Sequence, residues 1–162
     1  MYTRLQTLSE EAVAKLLEIE QNVTFTAATG SRRRVGKNTV QALSIYSYAK
    51  WFNWTHAQRE AFRACLPTKQ TALAKQVWYL DIPPRTGFLD VMTYWVGTGE
   101  RCGKVCAYAL RDQTIRIAGA DVHLEKGEGI YFCLSEIHSI SPSKEGQLWA
   151  CCMGQRALEF LV

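Results

Sequence analysis

Residues 119–153, GADVHLEKGEGIYFCLSEIHSISPSKEGQLWACCM, decide how the rest of the chain is read. Gly129-Ile130-Tyr131-Phe132-Cys133 has the alternation of a strand, and β-rich residues return in Gln147-Leu148-Trp149-Ala150-Cys151. Lys126-Gly127-Glu128-Gly129 and Ser143-Lys144-Glu145-Gly146 separate the runs with turn chemistry, each with a Gly that permits a positive φ. Two of the three histidines, His123 and His138, fall inside the stretch. A His that ends a strand just before a Ser-Pro turn can aim its imidazole into the mouth of a β-barrel.

Upstream, the same strand pattern continues back to residue 76. Val77 to Ile82 reads as a strand, Pro83 to Gly87 as a turn and Phe88 to Val96 as a strong strand. Lys104 to Leu110 and Thr114 to Ile117 are strands joined by the turn Arg111-Asp112-Gln113. Short strands at this spacing, with Gly-rich turns, indicate a sandwich or barrel.

Before residue 76 the pattern differs. Thr7-Leu8-Ser9-Glu10 reads as a capping box that opens a helix over 9–21, with Ala12, Val13, Leu16 and Leu17 at helical spacing. Val23 to Ala27 reads as a short strand, Gly30 to Asn38 as a basic loop, and Thr39 to Tyr48 as an ambiguous apolar segment with helical leanings. A second helix runs from His56 to Leu66, capped by Asn53 or by Thr55 with Gln58, and stopped by Pro67. Its buried face is Ala57, Ala61, Phe62, Cys65 and Leu66, with Trp51, Phe52 and Trp54 packing just before it.

Size and composition bound the function. A chain of 162 residues, 48% hydrophobic and 11% aromatic, is one folded domain with a real core. No apolar run approaches the roughly 20 residues that span a bilayer. MYTRLQTLSEE lacks the apolar centre of a secretory signal, which implies a cytoplasmic location and not a secreted one. The six cysteines, at 65, 102, 106, 133, 151 and 152, are then expected to be reduced. Cys102 and Cys106 with Cys151-Cys152 invite a zinc reading. The adjacent pair fits ligand spacing badly, and buried thiols acting as small hydrophobes are the simpler account.

The net charge of +4 is mild, but Arg32, Arg33, Arg34 and Lys37 form a local basic patch suited to an anionic partner. The segment departs from a phosphate-binding P-loop. Ser31 stands where the first Gly belongs, and Asn38 where the magnesium-binding hydroxyl belongs.

This order of elements resembles the double-stranded β-helix (jelly-roll) superfamily of cupins and Fe(II)- and 2-oxoglutarate-dependent oxygenases. Phe88-Leu-Asp-Val-Met-Thr-Tyr-Trp-Val is similar to the strand that prolyl-hydroxylase-type oxygenases place after their first metal ligands. Glu125-Lys-Gly-Glu-Gly-Ile-Tyr-Phe resembles their penultimate core strand, and Glu136-Ile-His138-Ser-Ile-Ser-Pro142 the strand carrying the distal metal-binding His. LSEEAVAKLLEIEQ is similar to their leading helix. Small phage-encoded proteins of this kind also come into view, which would place the chain in a virion.

The resemblance implies a metal site of two His and one carboxylate, with positions left for cosubstrate and oxygen. The proximal His-x-Asp/Glu pair should precede Phe88, yet no His lies between Gln70 and Leu89. A basic residue should follow the distal His by about nine positions, to hold the far carboxylate of 2-oxoglutarate. Gln147 stands there and lacks the charge. Asp121 and His123, two apart on one strand face, could join His138 in a non-standard triad.

The expected fold is therefore α+β: N-terminal helices (1–75) packed on a C-terminal jelly roll (76–162) of about seven to eight short antiparallel strands. The expected function is a degenerate, metal-free, non-catalytic binding or structural module with a macromolecular partner and no membrane contact. The alternative is a small Fe(II)- and 2-oxoglutarate-dependent oxygenase or cupin-type enzyme using His138 with Asp121 and His123.

Overall fold

The computed structural model describes residues 2–22, 32–35, 38–44, 55–67, 74–82, 84–85, 104–133, 136 and 139–154. Ten strands and two helices occur among them: β1 (Tyr2–Arg4), α1 (Glu10–Asn22), β2 (Arg32–Val35), β3 (Asn38–Ser44), α2 (His56–Ala64), β4 (Ala74–Ile82), β5 (Lys104–Ala109), β6 (Gln113–Ile117), β7 (Ala120–Leu124), β8 (Gly129–Cys133), β9 (Ile140–Ser141) and β10 (Gln147–Gly154). The strands expected at Val23–Ala27 and Phe88–Val96 lie outside the described residues, as do Trp51, Phe52 and Trp54.

Seven strands form one sheet in the order β1-β8-β5-β10-β4-β3-β2, and three form a second in the order β7-β6-β9. Every pairing among the described residues is antiparallel. The central strands β4, β5, β8 and β10 of the larger sheet are buried on both faces. On one face Leu80, Ile82, Val105, Ala107, Ile130, Phe132, Trp149 and Cys151 pack against Ile115, Ile117, Leu124 and Ile140 of the small sheet. On the other, Val77, Tyr79, Cys106, Tyr108, Tyr131, Ala150 and Cys152 pack against Val13, Leu16 and Ile19 of α1 and Phe62 and Leu66 of α2. The period of two along each strand makes this division. Each large apolar side chain so buried contributes roughly 1.5–3 kcal/mol over its exposed state. The result is a mostly antiparallel, jelly-roll-like α+β fold with three layers.

Local chemistry fixes the helices. Thr55 caps α2 with a complete capping box: its hydroxyl accepts from the Gln58 amide at 3.1 Å, and the Gln58 side chain accepts from the Thr55 amide at 2.9 Å. Ala57, expected on the buried face of α2, is exposed. For α1 the cap is Ser9 rather than Thr7, because Ser9 Oγ accepts from the Ala12 amide at 3.1 Å. The segment before it is held elsewhere: Leu5 and Leu8 donate to the carbonyls of Gly129 and Gly127 at 2.9 Å. Gly127 has φ +95°, and a Cβ there would stand 3.0 Å from the Leu8 carbonyl oxygen. The Tyr79 hydroxyl donates to the Leu16 carbonyl at 2.6 Å and its ring meets Phe62 edge-on at 5.0 Å, tying both helices to the sheet.

Two expectations for the N-terminal half are corrected. Arg32–Val35 is a strand rather than a loop, and Asn38–Ser44 is a strand rather than a helix. The two pair antiparallel, Arg32 opposite Gln41 and Val35 opposite Asn38, and β3 then pairs with β4. Main-chain pairing overrides a sequence with little strand alternation. The hairpin also rules out the strand-loop-helix course of a P-loop for this segment.

Candidate functional site

The inter-sheet layer is where the resemblance to oxygenases would place chemistry, and the described part of it is apolar except at one end. There β10 begins with Gln147, which alternates onto the same face as Trp149 and Cys151. Gln147 is 3% exposed and Trp149 fully buried. The indole Nε1 donates to Gln147 Oε1 at 3.0 Å, and Gln147 Nε2 donates to the Thr114 carbonyl at 3.0 Å. Gln113 completes the join between the sheets, its Oε1 accepting from the Leu148 amide at 2.9 Å. A buried amide with these partners is a staple between β10 and β6.

Asp121 and His123 lie on the other side of the small sheet. On β7, Val122 and Leu124 turn toward the inter-sheet core, while Asp121 and His123 are exposed on the outer face. Arg116, opposite Asp121 in register, donates to its carboxylate at 3.0 Å. His123 Nδ1 lies 3.5 Å from Thr114 Oγ1. His138 is outside the described residues. Neither Asp121 nor His123 faces the layer that holds Gln147, and a guanidinium already occupies the Asp121 carboxylate. The described pair therefore does not fit a ferrous centre between the two sheets.

The cysteines divide by strand parity. Cys106 and Cys152 share a rung of the β5–β10 ladder on the helix side, whereas Cys151 faces the inter-sheet core. The mutual hydrogen bond with Cys152 and then burial push the Cys106 thiol far above the ordinary thiol value; burial does the same to Cys151. Both sit in apolar surroundings, as small hydrophobes do. Among the described residues, no group of three or more His, Cys, Asp or Glu side chains is placed to hold a metal ion. Cys102 lies outside the described residues.

Arg32, Arg33 and Arg34 lie on β2, one of the two edge strands of the large sheet among the described residues, and Lys37 falls outside the described residues. Sequence reasoning passed over Gln113, Thr114 and Trp149. The period of two joining Gln147 to Trp149 was available as a signal, but nothing marks Thr114 as a partner 33 residues away.

The three-layer arrangement defines the class of architecture, and solved structures supply its likenesses. AviO1 from Streptomyces viridochromogenes Tue57 is similar with a TM-score of 0.50 at 10% identity, over 96% of this chain and 90% of that one. This is a likeness of fold. A prolyl-4-hydroxylase from Pseudomonas putida aligns over 96% of this chain and 92% of its own, with a TM-score of 0.43 and 12% identity. A mutant salicylate 1,2-dioxygenase from Pseudoaminobacter salicylatoxidans aligns over 94% of this chain and 34% of its own, with a TM-score of 0.37 and 10% identity. No protein-family model matches the chain, and no curated protein does. No helix among the described residues is long and apolar enough to cross a membrane.

Proposed function

We propose that this chain is a binding module on an oxygenase-like jelly-roll scaffold, its inter-sheet layer given over to packing rather than to metal and 2-oxoglutarate chemistry. The observation that carries this is Gln147. An oxygenase of the kind the sequence resembles needs a cation there to hold the far carboxylate of its cosubstrate. Gln147 is neutral, and both its oxygen and one of its N–H groups are committed to Trp149 and Thr114. Burying an anion against an uncharged amide costs several kcal/mol. Trp149, Phe132 and Ile115 fill the adjoining space.

The test is thermal stability of the full chain with Mn(II) and 2-oxoglutarate, separately and together. A ligand at a hundred times its Kd stabilises by about 2.7 kcal/mol, a plain rise in Tm. The expected result is no rise. A rise that needs both additives together would overturn the proposal in favour of an enzyme using His138, Asp121 and His123.

A further inference from the structure

We infer that Cys106 and Cys152 are the site of a reversible cross-strand disulfide that locks β5 to β10 when the chain is oxidised. The inference goes beyond the binding-module proposal and stands on a different observation: the register and rung type of the β5–β10 ladder. Cys106 lies opposite Cys152 in a stretch that pairs without a shift from Trp149–Ala109 to Gly154–Lys104. Just beyond it the Leu110 amide donates to the Leu148 carbonyl at 2.9 Å, while the Ala109 amide donates the other way, to the Glu128 carbonyl, at 2.8 Å. Backbone bonding alternates along an antiparallel pair, so the even-numbered residues of β5 bond toward β10. Cys106 and Cys152 therefore form a hydrogen-bonded rung, with Cα atoms about 5.5 Å apart. Disulfides most often hold their Cα atoms at about 5.5–6 Å.

The side chains meet as the backbones do. Both lie on the helix side of the sheet, both are fully buried, and their thiols share a hydrogen bond. The described cysteines are all free thiols, and strand parity leaves this pair without a rival among them. Cys151 faces the inter-sheet core, Cys133 stands opposite Lys104, and the Cys65 thiol donates to the Ala61 carbonyl at 3.2 Å. Side chains of a hydrogen-bonded rung stand about 5.5 Å apart at Cβ, whereas a disulfide requires about 3.5–4.5 Å. Closing the bond draws the strands together by about 1 Å, and such strain makes a disulfide readily reduced. Burial adds a gate, since a reagent reaches these sulfurs only when the ladder opens locally. The co-reactant is a small disulfide such as oxidised glutathione. One cysteine loses its proton to solvent, and its thiolate attacks a glutathione sulfur. That S–S bond breaks, a mixed disulfide forms, and the departing glutathione thiolate takes up a proton. The second cysteine, deprotonated in turn, attacks the protein sulfur of the mixed disulfide, forming the Cys106–Cys152 bond and expelling the second glutathione. Two protein thiols are oxidised, and one glutathione disulfide is reduced to two thiols. The lock falls on β10, so it fastens the strand that carries Gln147 and Trp149 to the middle of the large sheet.

The test is disulfide mapping by mass spectrometry. The reduced full chain is equilibrated with oxidised glutathione in urea well below its unfolding midpoint, and the remaining thiols are alkylated. The expected result is the loss of two thiols and one linkage, between Cys106 and the peptide holding Cys151 and Cys152. Two variants assign the second sulfur. Cys152→Ala is expected to abolish the linkage without Cys151 taking its place, and Cys151→Ala to retain it, with circular dichroism confirming both folds. Cys102 and Cys106, much closer in sequence, are the pair that an unfolded chain joins more readily. The same oxidation in strongly denaturing urea is therefore expected to favour that pair. Other cysteines joined in the folded chain, glutathione adducts alone, or no loss of thiols would overturn the inference. So would a bond from Cys106 to Cys151 in Cys152→Ala, or a Cys106–Cys152 bond that excess reduced glutathione leaves intact in the same urea. None of these outcomes bears on the Mn(II) and 2-oxoglutarate result, so the two proposals fail separately.

Discussion

The indole N–H of Trp149 donates to the side-chain oxygen of Gln147, two residues earlier on the same strand, at 3.0 Å. Through its other end Gln147 reaches the backbone of β6, so one neutral amide joins the two sheets where the resemblance to oxygenases calls for a cation. The metal-free reading depends on that staple.

Removing the staple should be costly. Gln147→Ala deprives the Trp149 N–H and the Thr114 carbonyl of their hydrogen bonds to this side chain. Each such group costs about 1–3 kcal/mol, so a loss of about 2–4 kcal/mol is expected in urea unfolding monitored by tryptophan fluorescence. Gln147→Arg should cost at least as much, because the new charge has no acid beside it among the described residues. A Gln147→Arg variant as stable as wild type would mean that an anion-holding pocket exists.

Asp121 should behave as an ordinary surface residue. Its pair with Arg116 is exposed on both sides, 65% and 48% of the respective side chains. Such pairs are worth about 0–1 kcal/mol. Asp121→Asn is expected to shift the urea midpoint only slightly, with high salt erasing the difference. A change above about 2 kcal/mol would show that the carboxylate does more than meet Arg116.

Alkaline pH should destabilise the fold. The hydrogen bond between the Cys106 thiol and Cys152, and burial, raise Cys106, and burial raises Cys151, the Tyr79 phenol and the Tyr131 phenol, the last to about 12. Each group holds its proton more tightly folded than unfolded. The stability they contribute is full below the ordinary thiol value of 9.0 and is lost as pH rises above it. The urea midpoint should be flat from pH 7 to about 8.5 and fall steadily beyond about 9, more steeply past 10 as the tyrosines join. A midpoint constant to about pH 11 would contradict the burial of these groups.

Much of the fold was legible where local and tertiary preferences agree. The Thr55–Gln58 capping box, the α1 stripe of Val13 and Leu16, and strands β4, β5, β6, β8 and β10 all follow from patterns within about a dozen residues. The hairpin was not legible. Three arginines flanked by glycines carry no strand signal, and only pairing with β3 and then β4 makes them a strand. Thr7 mimicked a cap because Glu10 follows it by three, but main-chain bonds from Leu5 and Leu8 to the Gly127–Gly129 segment carry the chain past it to Ser9. At the candidate site, the missing charge at Gln147 could be read directly. Its partner could not, since contact with Thr114 depends on how two sheets meet. The outward placement of Asp121 and His123 depends equally on which face of β7 the core takes, and Val122 and Leu124 decide that.

The central claim is that the inter-sheet layer serves packing and not metal chemistry. Equilibrium dialysis of the purified chain against Fe(II) under anaerobic conditions, with bound metal counted per chain in wild type and in His138→Ala, tests it most directly. The expected result is no stoichiometric metal in wild type and no difference between the two. One bound ion per chain that is lost in His138→Ala would contradict it.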